Sequence, residues 1–138
     1  MGYCAMPHFL TKIKDEISGS NFIKLIGGRT LVPHQKILSE ISNADVGIVI
    51  YSVNPSTESS IPTKLYEYLA LGLPVLISHN KQSHELVEKL QAGITLPNDI
   101  NFKALAEQLK SGYFKQSNEP SLYWEAEGEK LIDRLKLM

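Results

Sequence analysis

Pro62-Thr63-Lys64-Leu65-Tyr66-Glu67-Tyr68-Leu69-Ala70-Leu71-Gly72-Leu73-Pro74-Val75-Leu76-Ile77-Ser78 is the stretch that decides the fold. It predicts a helix that opens at a proline, stops at a glycine and feeds a short apolar strand. Pro62 suits the first helical position, where its missing N–H costs no hydrogen bond and its φ is already helical. Gly72 fits the left-handed residue past the last turn, and Pro74 forbids the helix from resuming. Leu65, Leu69 and Ala70 share one helical face, while Lys64, Glu67 and Tyr68 fall on another. The first face is read as core, with Tyr66 and Tyr68 finishing its edge, and the second is available for chemistry.

Working outward, Ser52 to Ile61 is a polar loop in which Ser56, Thr57, Ser59 and Ser60 stand among Asn54, Pro55 and Glu58. It follows the apolar strand expected from Val46 to Tyr51. A loop that leaves the C-terminal end of a strand and enters a helix N-terminus presents free backbone N–H groups and a partial positive charge. Together these favour an anion such as phosphate.

The elements on either side alternate. Pro7 opens a helix to about Ser18 with Phe9, Leu10, Ile13 and Ile17 on one stripe, ended by Gly19-Ser20-Asn21, while Met1 to Met6 carries no pattern. Phe22 to Ile26 is expected to be a strand, with Gly27-Gly28 as a flexible turn. Pro33 opens a second helix whose buried face is Ile37, Leu38 and Ile41. The strand Val46 to Ile50 is apolar on both faces, as in a parallel sheet covered by helices on both sides. Beyond Ser78, Ser83 is expected to cap a helix that buries Leu86, Val87 and Leu90, followed by a strand from Gly93 to Leu96. Phe102, Leu105, Ala106 and Leu109 stripe another helix, and Leu122 to Leu137 forms a last one with Trp124, Leu131 and Leu135 aligned. Short strands alternating with helices of ten residues or more form a βαβ series and hence a parallel sheet. The fold class is α/β, a Rossmann-like doubly wound parallel sheet. Ligands of such sheets bind beyond the carboxyl ends of the strands, where Gly27 to Val32, Ser52 to Ile61 and Ser78 to Ser83 are expected to collect.

Composition narrows the function. The 138 residues make one domain by the usual prior, with 43% hydrophobic and 21% charged residues, as in an ordinary globular chain. The formal net charge of −1 supplies no field to gather a polyanion, so nucleic acid is not an expected partner. Cys4 has no second cysteine to pair with, and His8, His34, His79 and His84 lack ligand spacing, so no metal site is expected. No run approaches the roughly 18 apolar residues of a spanning helix, and no basic region followed by an apolar run marks a secretion signal. The expected location is the cytoplasm.

The run Pro62-Thr-Lys64-Leu-Tyr-Glu67-Tyr68-Leu-Ala-Leu-Gly72-Leu-Pro74-Val75 resembles the donor-site signature of nucleotide-sugar glycosyltransferases of the GT-B fold, particularly the large family 4, or group 1, enzymes. Ile23 to Gly27, Pro33 to Ala44 and Asp45 to Val49 are similar to the strand, helix and strand that lead to the donor loop. Glu85-Leu-Val, Ala92-Gly93-Ile94 and Tyr123-Trp124-Glu125 are similar to the segments after it, so the resemblance runs from about Phe22 to the end.

What the resemblance implies is a donor-binding domain, the C-terminal half of a GT-B fold, spanning residues 1–138 as one domain truncated on its N-terminal side. The acceptor-binding N-terminal domain and a basic pair that contacts phosphate are expected to be missing from the chain. The parent enzyme is then expected to be a hexosyl-type transferase of cell-surface polysaccharide or glycoconjugate synthesis, peripheral at the inner membrane face. It moves sugar from a nucleoside diphosphate to an acceptor hydroxyl with retention, without cofactor or metal, and this chain alone is inactive. Glu67 stands where the family's glutamate holds the ribose, a job a carboxylate does by accepting two hydrogen bonds from vicinal hydroxyls. Lys64 is a cation in a first helical turn, unfavourable to the dipole, and a diphosphate would compensate it. Ser59, Ser60 and Ile61 offer backbone N–H groups, and Gly28, Arg29 and Thr30 stand to line the base or phosphate pocket. The family's first glutamate, eight positions before Glu67, is Ser59 here. Either Glu58 swings in through a loop bulge, or the chain uses the variant with Pro-x-Lys and no first acid, which leaves the sugar open. Two other classes share the alternating pattern: a flavodoxin-like binding or signalling module, and a sugar-nucleotide epimerase half. A phosphorylated receiver would need an Asp where this chain has Tyr51-Ser52.

Overall fold

A computed structural model describes residues 2–52, 54–55, 57–112, 114, 122 and 124–136. Its contacts gather into two compact units, Met1–Asn43 and Ala44–Met138.

In the first unit, β1 (Gly2–Tyr3) pairs in parallel with β2 (Gly27–Gly28). α1 (Pro7–Ile17) runs between them and α2 (His34–Ser42) follows. α1 buries Leu10 but leaves Phe9 exposed, and α2 buries Ile41 with Ile37 and Leu38 half-buried. The expected strand at Phe22 to Ile26 is not formed, and Phe22 is 86% exposed. The ladder is only two residues long, and it falls instead on the glycines read as a turn. Gly28 is required there, because its φ is +98° and a Cβ would lie 3.2 Å from Leu10 Cδ1.

In the second unit a three-stranded parallel sheet has the order β3 (Gly47–Val49), β4 (Val75–Ile77), β5 (Gly93–Thr95). Gly47 lies opposite Val75, and Val75 opposite Gly93. Sequential order with crossovers of one hand places both connecting helices on the same face. The core agrees: Leu65 and Leu69 of α3 (Thr63–Ala70), and Val87 and Leu90 of α4 (Lys81–Leu90), meet Val49, Val75 and Ile77 in one cluster. All three residues of β4 are buried, as a central strand requires. β3 differs from expectation, since Ile48 and Ile50 are 56% and 62% exposed. Alternation along the strand turns Gly47 and Val49 inward and leaves the other face open.

α3 begins and ends as its punctuation demands, with one shift. Pro62 is the N-cap, at φ −61° and ψ 134°, and Thr63 is the first helical residue. Gly72 takes φ +70°. Its N–H donates to the Leu69 carbonyl at 3.0 Å and that of Leu73 to Tyr68 at 2.9 Å, the paired bonds of a Schellman stop. α4 is capped by Asn80 rather than Ser83, the Asn80 side chain accepting from the Ser83 N–H. α5 (Phe102–Lys110) is capped in the same manner by Asn101, but only Leu105 and Leu109 of its expected stripe are half-buried. α6 (Trp124–Lys136) exposes Ile132 and Leu135. The side chains of Trp124 and Leu131, together with Ser56, Tyr123 and Leu137, lie outside the described residues. No described helix is long and apolar enough to cross a membrane.

Candidate functional site

The carboxyl ends of β3 and β4 lead to the N-termini of α3 and α4, and described residues of the segment 52–61, among them Ser52, Thr57, Ser60 and Ile61, line the same edge. Two residues of the β4–α4 connection tie that segment down. Ser78 Oγ accepts from the Tyr51 N–H at 3.0 Å and donates to the Tyr51 carbonyl at 3.0 Å. Asn80 Nδ2 donates to the carbonyls of Thr57 at 2.8 Å and Glu58 at 3.2 Å. The segment also braces itself. Thr57 Oγ1 donates to the Ser52 carbonyl at 2.9 Å, and the Glu58 N–H donates to the Asn54 carbonyl at 2.9 Å.

A cavity of about 260 Å³ lies at this edge. Its apolar lining comes from Val49, Ile61, Pro62 and Ile77, and its polar lining from Tyr51, Ser52, Thr57, Ser60, Thr63, Ser78, Asn80 and Ser83. Among the described residues, no charged side chain lines it. Neither α3 nor α4 has an acidic residue in its first turn, so the partial positive charge of both N-termini is left for whatever enters. Ser83 is 3% exposed, and its hydroxyl finds no hydrogen-bond partner among the described residues.

Of the residues singled out in the sequence, Ser60 and Ile61 line the cavity. Ser59 and Glu58 are exposed and do not. Lys64 and Glu67 stand outside the lining on α3, joined to each other: Lys64 Nζ donates to Glu67 Oε2 at 2.7 Å. The unfavourable first-turn cation is thus already compensated from within its own helix. Gly28 is buried, and Arg29 and Thr30 are exposed, all three in the first unit. Tyr68 packs against the core, where burial pushes its phenol up from the ordinary value. No group of three or more potential metal ligands occurs among the described residues. His79 and His84 lie with ring centroids 6.0 Å apart, and His84 Nδ1 is 2.8 Å from Thr95 Oγ1.

Ser78, Asn80 and Ser83, like Tyr51, Ser52, Thr57 and Thr63, are polar lining residues that sequence reasoning had not assigned to the site. The segment Ser78 to Ser83 had been placed at the correct edge. The sequence-level signal for Asn80 is its spacing of three from Ser83, which suits an N-cap as well as Ser83 itself does.

A parallel α/β sheet with its cavity at the carboxyl edge, over two helix N-termini, defines a Rossmann-like domain of the kind that takes its ligand at that edge. The family described as glycosyl transferases group 1 matches residues 7–112, and the chain belongs to it. It is a GT-B glycosyltransferase domain. The match begins earlier than the resemblance seen in the sequence, at Pro7, and ends before Tyr123-Trp124-Glu125. Comparison with curated proteins and with solved structures gives no match.

Proposed function

We propose that this glycosyltransferase domain binds the nucleoside-diphosphate part of a sugar donor at the edge formed by segment 52–61 and the N-termini of α3 and α4. The enzyme it serves then passes a hexosyl group to an acceptor hydroxyl, with retention, in polysaccharide or glycoconjugate synthesis. The observation that supports this best is a cavity at the α3 N-terminus, lined by no acidic side chain among the described residues, in a chain of this family.

Each residue then has a physical task. Backbone N–H groups at the start of α3 face the diphosphate, whose charge grows as the sugar leaves, and a fixed dipole of this kind stabilises the growing charge without reorganising. Lys64, in the first turn of the same helix, adds a full positive charge. The carboxylate of Glu67 accepts from the two ribose hydroxyls, and Ser59, Ser60 and Ile61 add donors from the loop, with Glu58 beside them. No resident metal takes part in this scheme, and the chain by itself binds donor without transferring its sugar.

A thermal-shift panel of UDP, GDP and ADP with their hexose conjugates tests the reading. At a ligand concentration of about 100 times Kd, binding adds about 2.7 kcal/mol, which raises Tm by roughly 5–10 °C in a domain of this size. A Tm unmoved by every member of the panel at millimolar concentration refutes donor binding.

A further inference from the structure

Asn80 has more hydrogen bonds than a helix cap needs. Its Oδ1 accepts from the Ser83 N–H at 3.0 Å, and its backbone carbonyl accepts from the His84 N–H at 2.8 Å, which is the work of an N-cap. Its Nδ2 performs a different task. It reaches 23 residues back along the chain to Thr57 and 22 back to Glu58, donating to two successive carbonyls. Both faces of one amide are thereby used, the oxygen on α4 and the nitrogen on the segment that leads into α3.

We propose that Asn80 is a positioning residue for the donor site: its amide holds the Thr57–Glu58 backbone so that the next residues, Ser59 to Ile61, present their groups to a bound nucleoside diphosphate. This rests on the donor-binding reading above. The carbonyls of Thr57 and Glu58 are engaged by the Asn80 amide, which takes up acceptors that would otherwise repel an incoming anion. Thr57 also donates from Oγ1 to the Ser52 carbonyl, and Ser78 clamps Tyr51, so the segment is fixed at its start and its middle from β4–α4. Beyond Glu58, the Ser60 N–H donates to the Thr57 carbonyl at 3.3 Å, so the carbonyl Asn80 holds is also the one on which the last turn before Pro62 closes. Fixing a loop before the ligand arrives removes its ordering cost from the binding free energy.

Two substitutions separate the tasks. Asn80→Ser keeps a good capping oxygen and adds no charge, but the side chain is too short to reach Thr57 and Glu58; Asn80→Ala loses both functions. Both variants lose the bonds to Thr57 and Glu58, so Asn80→Ser is expected to melt about 3–6 °C below the parent, and Asn80→Ala, which also loses the cap, about 2–4 °C lower still. In Asn80→Ser, amide exchange at 58–61 should accelerate, and calorimetric affinity for the best nucleoside diphosphate should fall by about fivefold or more. Parent-like exchange and affinity in Asn80→Ser overturn the proposal, and so does an affinity that merely follows Tm through both variants. If the parent binds no nucleoside diphosphate, the donor reading fails and this proposal with it. That outcome is distinct from a parent that binds and an Asn80→Ser variant that binds equally well.

Discussion

Replacing Glu67 by Gln tests whether the carboxylate serves a ligand or only its helix. Without ligand the carboxylate is held by Lys64 at 2.7 Å, with the two side chains 24% and 37% exposed. A pair at this spacing and exposure contributes about 0.2–0.5 kcal/mol, and Gln has nearly the helix propensity of Glu. Tm should therefore fall by less than about 3 °C. Binding changes more. A hydrogen bond to a charged group contributes about 1 kcal/mol more than its neutral counterpart, so two bonds to vicinal hydroxyls lose about 2 kcal/mol. The parent must also release or share Lys64 to bind, which offsets about 0.2–0.5 kcal/mol of that. The net loss of about 1.5 kcal/mol corresponds to roughly tenfold weaker binding. Isothermal titration with the best nucleoside diphosphate reads it directly. Inorganic pyrophosphate is the control, since it has no ribose and meets a freed Lys64, so its affinity should hold or rise slightly. Equal affinities of parent and Glu67→Gln for the nucleoside diphosphate would remove Glu67 from the site.

Gly47→Ala would place a Cβ on the Tyr68 ring, prising α3 from the sheet, and overpacking of this kind costs about 1–3 kcal/mol. The expected reading is a lower urea midpoint at unchanged slope, and a parent-like midpoint would mean that the β3–α3 contact is looser than the structure has it. Burial holds the Tyr68 phenol above its ordinary value, so the neutral form is favoured in the folded state. The stability this gives is fully present below about pH 10 and is lost as pH rises through the folded value. Thermal melts between about pH 8 and 11 should fall less steeply for Tyr68→Phe than for the parent above about pH 10, and parallel curves would exclude the effect.

The parts of this fold that were legible are those whose physics is local. Gly72 had to take a positive φ because a helix ended there before a proline, and it does, at +70°. Leu65 and Leu69 had to be core because four residues bring them onto one face, and both are buried. Phe22 to Ile26 failed because an apolar run says nothing about whether a partner strand is within reach, and the pairing with Gly2–Tyr3 falls on the two glycines that follow it. Ser83 was misread as a cap because Asn80, three residues earlier, competes for the same role and wins it. The bonds from Asn80 to Thr57 and Glu58, and from Ser78 to Tyr51, span 22 to 27 residues and leave no periodic trace.

Lys64 is the instructive case, because its partner was in view. The first-turn cation calls for an anion, and the i,i+3 spacing to Glu67 already provides one. The consequence for the site is a competition. Under the proposed donor binding, a ligand that draws Glu67 onto its ribose frees Lys64 for its phosphates, so the two ends of a nucleoside diphosphate are expected to help each other across one helical turn. A ligand with only one of those ends must break the ion pair for half the return. Affinity for the whole ligand should therefore exceed what its nucleoside and its pyrophosphate predict separately, and the excess should vanish when either Lys64 or Glu67 is neutralised.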